Sequence, residues 1–316
     1  MTKDEHLPVL AEDVVTMLAP APGSLQIDAT VGGGGHTERI LEAANPDGRV
    51  LGLDADTAAI ARVEARLRPR FGDRLVLRRA DFRDLAAVAP EAGFTSVDGC
   101  LFDLGLSSFQ LADSSRGFGI RTGGPLDMRF DPSRGVPASE LLETLDAGEL
   151  AALFRRFGEE PSAGRFARAI VDARRAAPLR TAEQLAWLVE RVAPRHPPGR
   201  RRIHPATRVF QALRIAVNRE LDALEAGLQA ALELLRPGGR LVVLSYHSLE
   251  DRIVKRFFAA ERRGCICPPV APVCVCGRAP RLRLVTPRGI TPGLAEITAN
   301  PRSRSARLRA AERIAA

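Results

Sequence analysis

Cysteine is scarce in this chain: five among 316 residues, which is no disulfide framework for a protein of this length. Reduced thiols in an intracellular compartment are the expectation. No run approaches the ~20 apolar residues of a membrane span. Met1–Leu10 carries Lys3, Asp4, Glu5 and Pro8 where a secretory leader would need an apolar stretch. The chain therefore reads as soluble and cytoplasmic, with no membrane partner. Lysine is almost missing, since Lys3 and Lys255 are the only two, and nearly all of the positive charge behind a formal net +8 is arginine. Such an excess favours a polyanionic partner, because each phosphate neutralised releases condensed counterions; arginine skew with abundant alanine suits a coding bias equally well. Acidic residues are absent between Arg191 and Arg219, a stretch with eight arginines that include Arg200, Arg201 and Arg202, with His204 among them. It is the candidate nucleic-acid surface, against the alternative of a solvated face.

What the chain has in quantity is apolar residue, at 45%. That supports one large domain with a smaller second unit, since single cores stop growing near 250–300 residues. Leu10–Leu18 has helical spacing, and Ser24–Ala29 is a strand-like run ending in Thr30, Val31 and the glycines 32 to 35. A helix over His36–Ala44 follows, then a strand over Arg49–Leu53 closing on Asp54, a helix over Thr57–Leu67, and a strand over Leu75–Arg79 leading to Asp81 and Phe82. Val97–Phe102 is a fourth strand ending on Asp103. Strands separated by helices of about ten residues are βαβ units of a parallel sheet. The alternation stops at a Gly-, Asp- and Arg-rich loop over 107–135 and a mainly helical region to Arg195. It resumes with one long helix over Thr207–Leu235, stopped by Pro237, Gly238 and Gly239, and a strand over Arg240–Ser245. The expected fold is α/β, a Rossmann-like sheet interrupted by a mainly helical insertion. The expected limits are 1–112 and 207–316 for the two parts of the sheet domain and 113–206 for the helical unit. Leu282–Thr286 reads as an edge strand and Ser305–Ile314 as either a last strand or a helix, the alternation of Ala306, Leu308 and Ala310 with Arg307 and Arg309 favouring the strand, with Arg302 and Arg304 placed to meet phosphate.

A complete GxGxxG is also lacking, because counting from Gly32 the third glycine falls on Thr37. A pyrophosphate cradle loses ground accordingly, and with it a nicotinamide oxidoreductase. Glycines between a strand and a helix still let backbone approach a ligand, and Asp54 at the end of the second strand can accept from two ribose hydroxyls. Asp54, Asp81 with Phe82, and Asp103 stand at successive strand ends, at the carboxyl edge where such sheets bind ligands. A non-catalytic RNA-binding protein would give these residues no reason to converge.

Eight segments then carry a resemblance: His6–Leu10 (HLPVL), Asp28–Thr37 (DATVGGGGHT), Asp103–Ser108 (DLGLSS), Arg116–Phe118 (RGF), Gly124–Arg129 (GPLDMR), Arg208–Glu220 (RVFQALRIAVNRE), Leu244–Arg252 (LSYHSLEDR) and Asn300–Ser305 (NPRSRS). In this order, nearly end to end, they resemble the bacterial 16S ribosomal RNA cytosine-N4 methyltransferase family (MraW/RsmH). The resemblance implies a class I methyltransferase sheet and S-adenosyl-L-methionine as cofactor, with Gly34, Gly35 and His36 lining its site, Asp54 on the ribose, Phe82 beside the adenine, and Asp103 and Gln110 in the same pocket. It also implies a 16S rRNA substrate within the small ribosomal subunit, and a cytosine of the decoding region as target.

Asp103 lies where amino-methyltransferases place an acid facing the amine, which makes it the catalytic candidate. The Asp-Pro-Pro-Tyr sequence of many such enzymes is missing, replaced by Asp103-Leu104-Gly105-Leu106. The residue that stacks the base is thus unassigned, with Phe109, Phe118 and the sole tyrosine, Tyr246, as candidates. A DNA amino-methyltransferase is the alternative reading. Tyr246 and His247 follow the fifth strand and are further candidates for substrate contact, while Ser248 with Asp251 reads equally as a helix cap or as a substrate-facing pair. Cys265, Cys267, Cys274 and Cys276 form two CxC pairs. Four thiolates can hold zinc, but zinc sites usually use CxxC, so reduced thiols without a metal rank first.

Overall fold

The computed structural model describes residues 8–194, 204–267, 273 and 275–315. Its elements run α1 (Ala11–Leu18), β1 (Leu25–Asp28), α2 (Gly35–Ala43), β2 (Arg49–Asp54), α3 (Thr57–Phe71), β3 (Leu75–Arg79), α4 (Leu85–Glu91) and β4 (Val97–Asp103). Next come α5 (Ser108–Ala112), α6 (Ala138–Thr144), α7 (Ala147–Gly158), α8 (Ala163–Ala176), α9 (Ala182–Val192) and α10 (Thr207–Asn218). The chain finishes with α11 (Glu220–Leu234), β5 (Leu235–Ser245), α12 (Ser248–Arg263), β6 (Leu282–Leu284), α13 (Leu294–Ala299) and β7 (Arg307–Arg313). It forms two compact units, residues 1–105 with 221–316, and residues 106–220. The second is wider than the expected 113–206 and takes in α10.

The first unit is built on a seven-stranded sheet of order β3-β2-β1-β4-β5-β7-β6. β1 to β5 are parallel, and β7 enters antiparallel between β5 and β6. This is the expected Rossmann-like sheet, and the last segment is the strand that alternation suggested. Both faces are covered, which is why the strands read as continuous apolar runs. Side chains alternate between two cores by the period of two of a pleated strand. Leu51, Leu53, Cys100, Phe102, Leu241 and Val243 face one core, with Leu85 of α4, Leu228 of α11 and Val254 of α12. Val50, Leu101, Val242 and Leu244 face the other, with Val14 of α1, Ile40 of α2 and Val63 of α3. Strand order reverses at β1, between β2 and β4, and such a switch point opens a crevice at the carboxyl edge.

The second unit is mainly helical around Leu150, Phe154, Phe166, Ile170, Leu185, Val189, Phe210 and Leu213. Its helices start where caps dictate: Asp146 with Glu149 forms a capping box on α7, and Thr181 with Gln184 another on α9.

Two sequence expectations are corrected. The single helix expected over Thr207–Leu235 is broken at Arg219, which takes a left-handed conformation with φ 50° and ψ 43° between α10 and α11. Its cause lies some ninety residues upstream. Asn218 Nδ2 donates to the carbonyls of Met128 (2.7 Å) and Arg214 (2.9 Å), its Oδ1 accepts the Phe130 N–H (2.7 Å), and Arg214 forms a two-pronged ion pair with Glu220 (2.8 and 2.9 Å). Nor do Pro237, Gly238 and Gly239 separate helix from strand. β5 already pairs at Leu235, opposite Val97, and the three residues form an irregularity before pairing resumes at Arg240 opposite Gly99.

Asn218→Ala would leave the Phe130 N–H and Met128 carbonyl without that partner. At about 1–3 kcal/mol for each buried group left unsatisfied, it should lower stability by roughly 2–4 kcal/mol in denaturant unfolding. A loss below about 1 kcal/mol would show that the break does not depend on this side chain.

Candidate active site

β1, β2 and β4 each end on an aspartate, Asp28, Asp54 and Asp103. Asp28 pairs in register with Gly52 and with Leu101, so Asp54 and Asp103 stand two residues further out on either side of it. Between β1 and α2 the glycine loop turns back over β2. Gly34, at φ 79°, precedes the first turn of α2, and a Cβ there would lie 2.9 Å from Val63 and Arg66, so glycine is required on both counts. Asp54 ties the loop down: one oxygen accepts the Gly32 N–H and the other the Asp56 N–H, both at 2.8 Å. Two of its roughly four lone-pair directions are used, which leaves acceptor capacity for ribose hydroxyls.

Asp28 is buried beneath this loop, accepting from the Thr37 hydroxyl (2.6 Å) and the Thr30 N–H (3.1 Å). Burial raises its carboxyl above the usual range, against the hydrogen bond from Thr37 and the charge of His36, and the Asp103 charge adds to the rise. Burial likewise pushes Asp54 up to about 6, against its two N–H donors, and the charges of Asp56 and Asp28 add to the rise. Anionic groups are thus crowded at one edge, and a cationic ligand would relieve them.

Asp103 is the most elaborately held of the three. Its N–H donates to the Thr30 hydroxyl (2.6 Å), its Oδ1 accepts the Tyr246 hydroxyl (2.7 Å), and its Oδ2 lies 3.4 Å from His36 Nε2. Burial first, and the Asp103 charge next, push the Tyr246 phenol well above its ordinary value, so it stays a protonated donor. His36 is 6% exposed, and among the described residues neither ring nitrogen has a hydrogen-bond partner. A buried polar group of this kind calls for a ligand or water. Carboxylates short of compensating charge and an unsatisfied imidazole fit the sulfonium and amino-acid end of S-adenosylmethionine.

Gly34, Gly35, His36, Asp54 and Asp103 therefore gather at one sheet edge. Phe82 follows β3, its ring edge-on to Phe102 at 5.6 Å and packed on Gly227 of α11. Gln110 belongs to the helical unit, where its amide oxygen accepts the Ser107 N–H (3.1 Å) in the capping box of α5. Phe118 is buried in that unit, stacked on Phe130 at 5.6 Å, and the Tyr246 hydroxyl is bonded to Asp103; Phe109 is half-buried. His247, not Ser248, caps α12: its Nδ1 accepts the Glu250 N–H (3.4 Å), and Glu250 accepts the N–H groups of Tyr246 (2.8 Å) and His247 (3.2 Å). His204 Nδ1 accepts the Ala206 N–H at 3.1 Å. Arg200, Arg201 and Arg202 lie outside the described residues.

Sequence reasoning overlooked Asp28, Thr30, Thr37 and Trp187. Asp28 was within reach, because it ends a strand just as Asp54 and Asp103 do. Trp187 of α9 is 56% exposed, with the Arg191 guanidinium 4.7 Å from its ring centroid. That pairing places an aromatic face at the head of the arginine-rich stretch.

The model of the MraW methylase family matches residues 3–314. Among curated proteins, the Ribosomal RNA small subunit methyltransferase H of Thermomicrobium roseum is 60% identical over 98% of this chain and 94% of its own. The proteins of the same name from Syntrophotalea carbinolica and Trichlorobacter lovleyi are 50% and 49% identical, each over 99% of this chain and all of theirs.

A cationic ligand favours ionised Asp54, so affinity for S-adenosylmethionine should be lost as pH falls through about 6. Calorimetric titrations between pH 5 and pH 8 should show this inflection, and Asp54→Asn should both weaken binding and flatten the profile. An unchanged profile in the variant would remove Asp54 from the cofactor site.

Proposed function

This chain belongs to the MraW methylase family, and from that premise we propose that it uses S-adenosyl-L-methionine to methylate the N4 amine of a cytosine in the decoding region of 16S ribosomal RNA. The relatives named above bear the name of a small-subunit ribosomal RNA methyltransferase along their whole length. The single structural observation that supports the chemistry is the Asp103 carboxylate, fixed by Tyr246 on one oxygen with the other turned toward His36.

The bound cofactor supplies an activated methyl group, whose transfer leaves the bonding pair on sulfur. The protein has chiefly to align amine and methyl, and alignment is worth about 7–11 kcal/mol in favourable cases. A cytosine N4 lone pair is delocalised into the ring. An acceptor for its N–H localises that pair, and Asp103 is this acceptor, taking up the proton released as the N–C bond forms. Tyr246 acts through Asp103 as a positioning residue, and Asp54 with the Gly32–Gly35 loop holds the nucleoside end. Gln110 completes the cofactor's contacts and Phe82 lies beside the adenine.

The helical unit serves substrate recognition. Arg200, Arg201 and Arg202 supply phosphate contacts; His204 and His247 are secondary candidates. Trp187 with Arg191 offers the stacking face and cation that unpaired bases favour. The substrate is the rRNA within the small subunit, in the cytoplasm. Among the described residues, no helix is long and apolar enough to cross a membrane.

Small subunits from a strain lacking this modification are the test substrate. At saturating cofactor, Asp103→Asn should lower kcat by about 10²–10⁴-fold; a change within about threefold would show that Asp103 only binds the cofactor. Trp187→Ala should weaken subunit binding by about 1–3 kcal/mol and leave cofactor affinity unchanged. Equal affinity for subunits would remove the α9 face from the RNA path.

A further inference from the structure

α12 ends at Gly264 (φ 70°), and the segment from there to β6 contains four of the five cysteines. Its two ends are pinned together. A Cβ on Gly264 would fall 2.4 Å from the backbone of Ala279 and Pro280, and the Arg281 N–H donates to the Glu261 carbonyl at 2.8 Å. The Glu261 carboxylate, 5% exposed at residue level, holds both Arg278 (3.3 Å) and Arg281 (2.6 Å). The loop so closed is turned inside out with respect to hydrophobicity. Ile266, Val273 and Val275 are 62%, 69% and 86% exposed, whereas Cys265, Cys267 and Cys276 are half-buried. In an extended CxC the two cysteines share one side and the residue between them faces the other, which matches the half-buried Cys265 and Cys267 on either side of the exposed Ile266. Among the described residues of the loop no apolar side chain is buried, and small units without a core are commonly held by a cross-link or a metal.

The sulfurs of Cys265, Cys267 and Cys276 all lie within 4.8 Å of one another. Cys265 and Cys276 are 3.8 Å apart, far beyond the ~2.05 Å of a disulfide. A tetrahedron with zinc–sulfur bonds of ~2.3 Å has edges of about 3.8 Å. The Val275 N–H donates to Cys267 Sγ at 3.4 Å, an arrangement that suits a thiolate. We propose that Cys265, Cys267 and Cys276 are ligands of a structural zinc ion that closes the loop between α12 and β6. Cys274 lies outside the described residues, and the proposal rests on the other three.

Zinc suits the set because thiolates are soft ligands and a tetrahedral sulfur site selects zinc or an iron–sulfur centre; zinc alone is redox-inert. Each coordinating thiol gives up its proton when the ion binds, so binding weakens in acid. The ion is structural. α12 has sixteen residues and therefore places the loop about 24 Å from the helix start beside Tyr246.

The test uses the full-length protein purified under reducing conditions without chelator. Metal analysis should find about one zinc per chain surviving dialysis, released on acidification. Cys265→Ser and Cys276→Ser should retain less than about a tenth of that. Should the variants fold poorly, cobalt(II) added to the metal-stripped wild-type chain decides, since thiolate coordination gives intense near-ultraviolet charge-transfer absorption and tetrahedral visible bands. The proposal is overturned if the wild-type chain, loaded with excess zinc and dialysed, keeps none, if cobalt gives no thiolate band, or if the protein holds iron instead.

Discussion

Three carboxylates that repel one another are brought together at the carboxyl edge of a single parallel sheet, and much of the site's architecture serves to hold them there. Asp28 is buried at the switch point, stabilised by Thr37 and the Thr30 N–H. Asp54 is held by backbone donors from the glycine loop and the start of α3, and Asp103 by Tyr246 from the end of β5. Burial first, and the charge of neighbouring carboxylates after it, raise Asp28 and Asp54. The fold thus stores an electrostatic preference for a cation, and the methyl donor carries its positive charge next to the bond that breaks.

That preference also explains the order of elements. Parallel strands with crossover helices bring several strand ends to one edge. Capping geometry extends the same logic to β5 and α12. Glu250, buried at the helix start, binds the N–H groups of Tyr246 and His247, which fixes the backbone from which Tyr246 reaches Asp103.

Local patterns made most of the fold legible in the sequence: the alternation of strands and helices, the glycine loop, the acids at strand ends, and the final strand over Arg307–Arg313. Motif resemblance added the cofactor and the substrate class, which no periodicity could supply. What escaped was non-local. The helix break at Arg219 depends on Asn218 bonding to a loop some ninety residues earlier. The Tyr246–Asp103 bond joins residues 143 apart, a separation that no local pattern bridges. Ser248 resembled a cap by type, but the His247 ring occupies that position. The CxC spacing departs from the common CxxC, and the convergence of the Cys265, Cys267 and Cys276 sulfurs depends on how Glu261 and Gly264 close the loop.

Cofactor, nucleic acid and target atom can be tested together in a single measurement. Labelled methyl from S-adenosylmethionine is offered to small ribosomal subunits that lack the modification, and the digested RNA is mapped by mass spectrometry. The expected product is N4-methylcytosine at one decoding-region position of 16S rRNA. Methyl transfer to DNA, or no transfer to subunits or free rRNA by protein that binds the cofactor tightly, would contradict it.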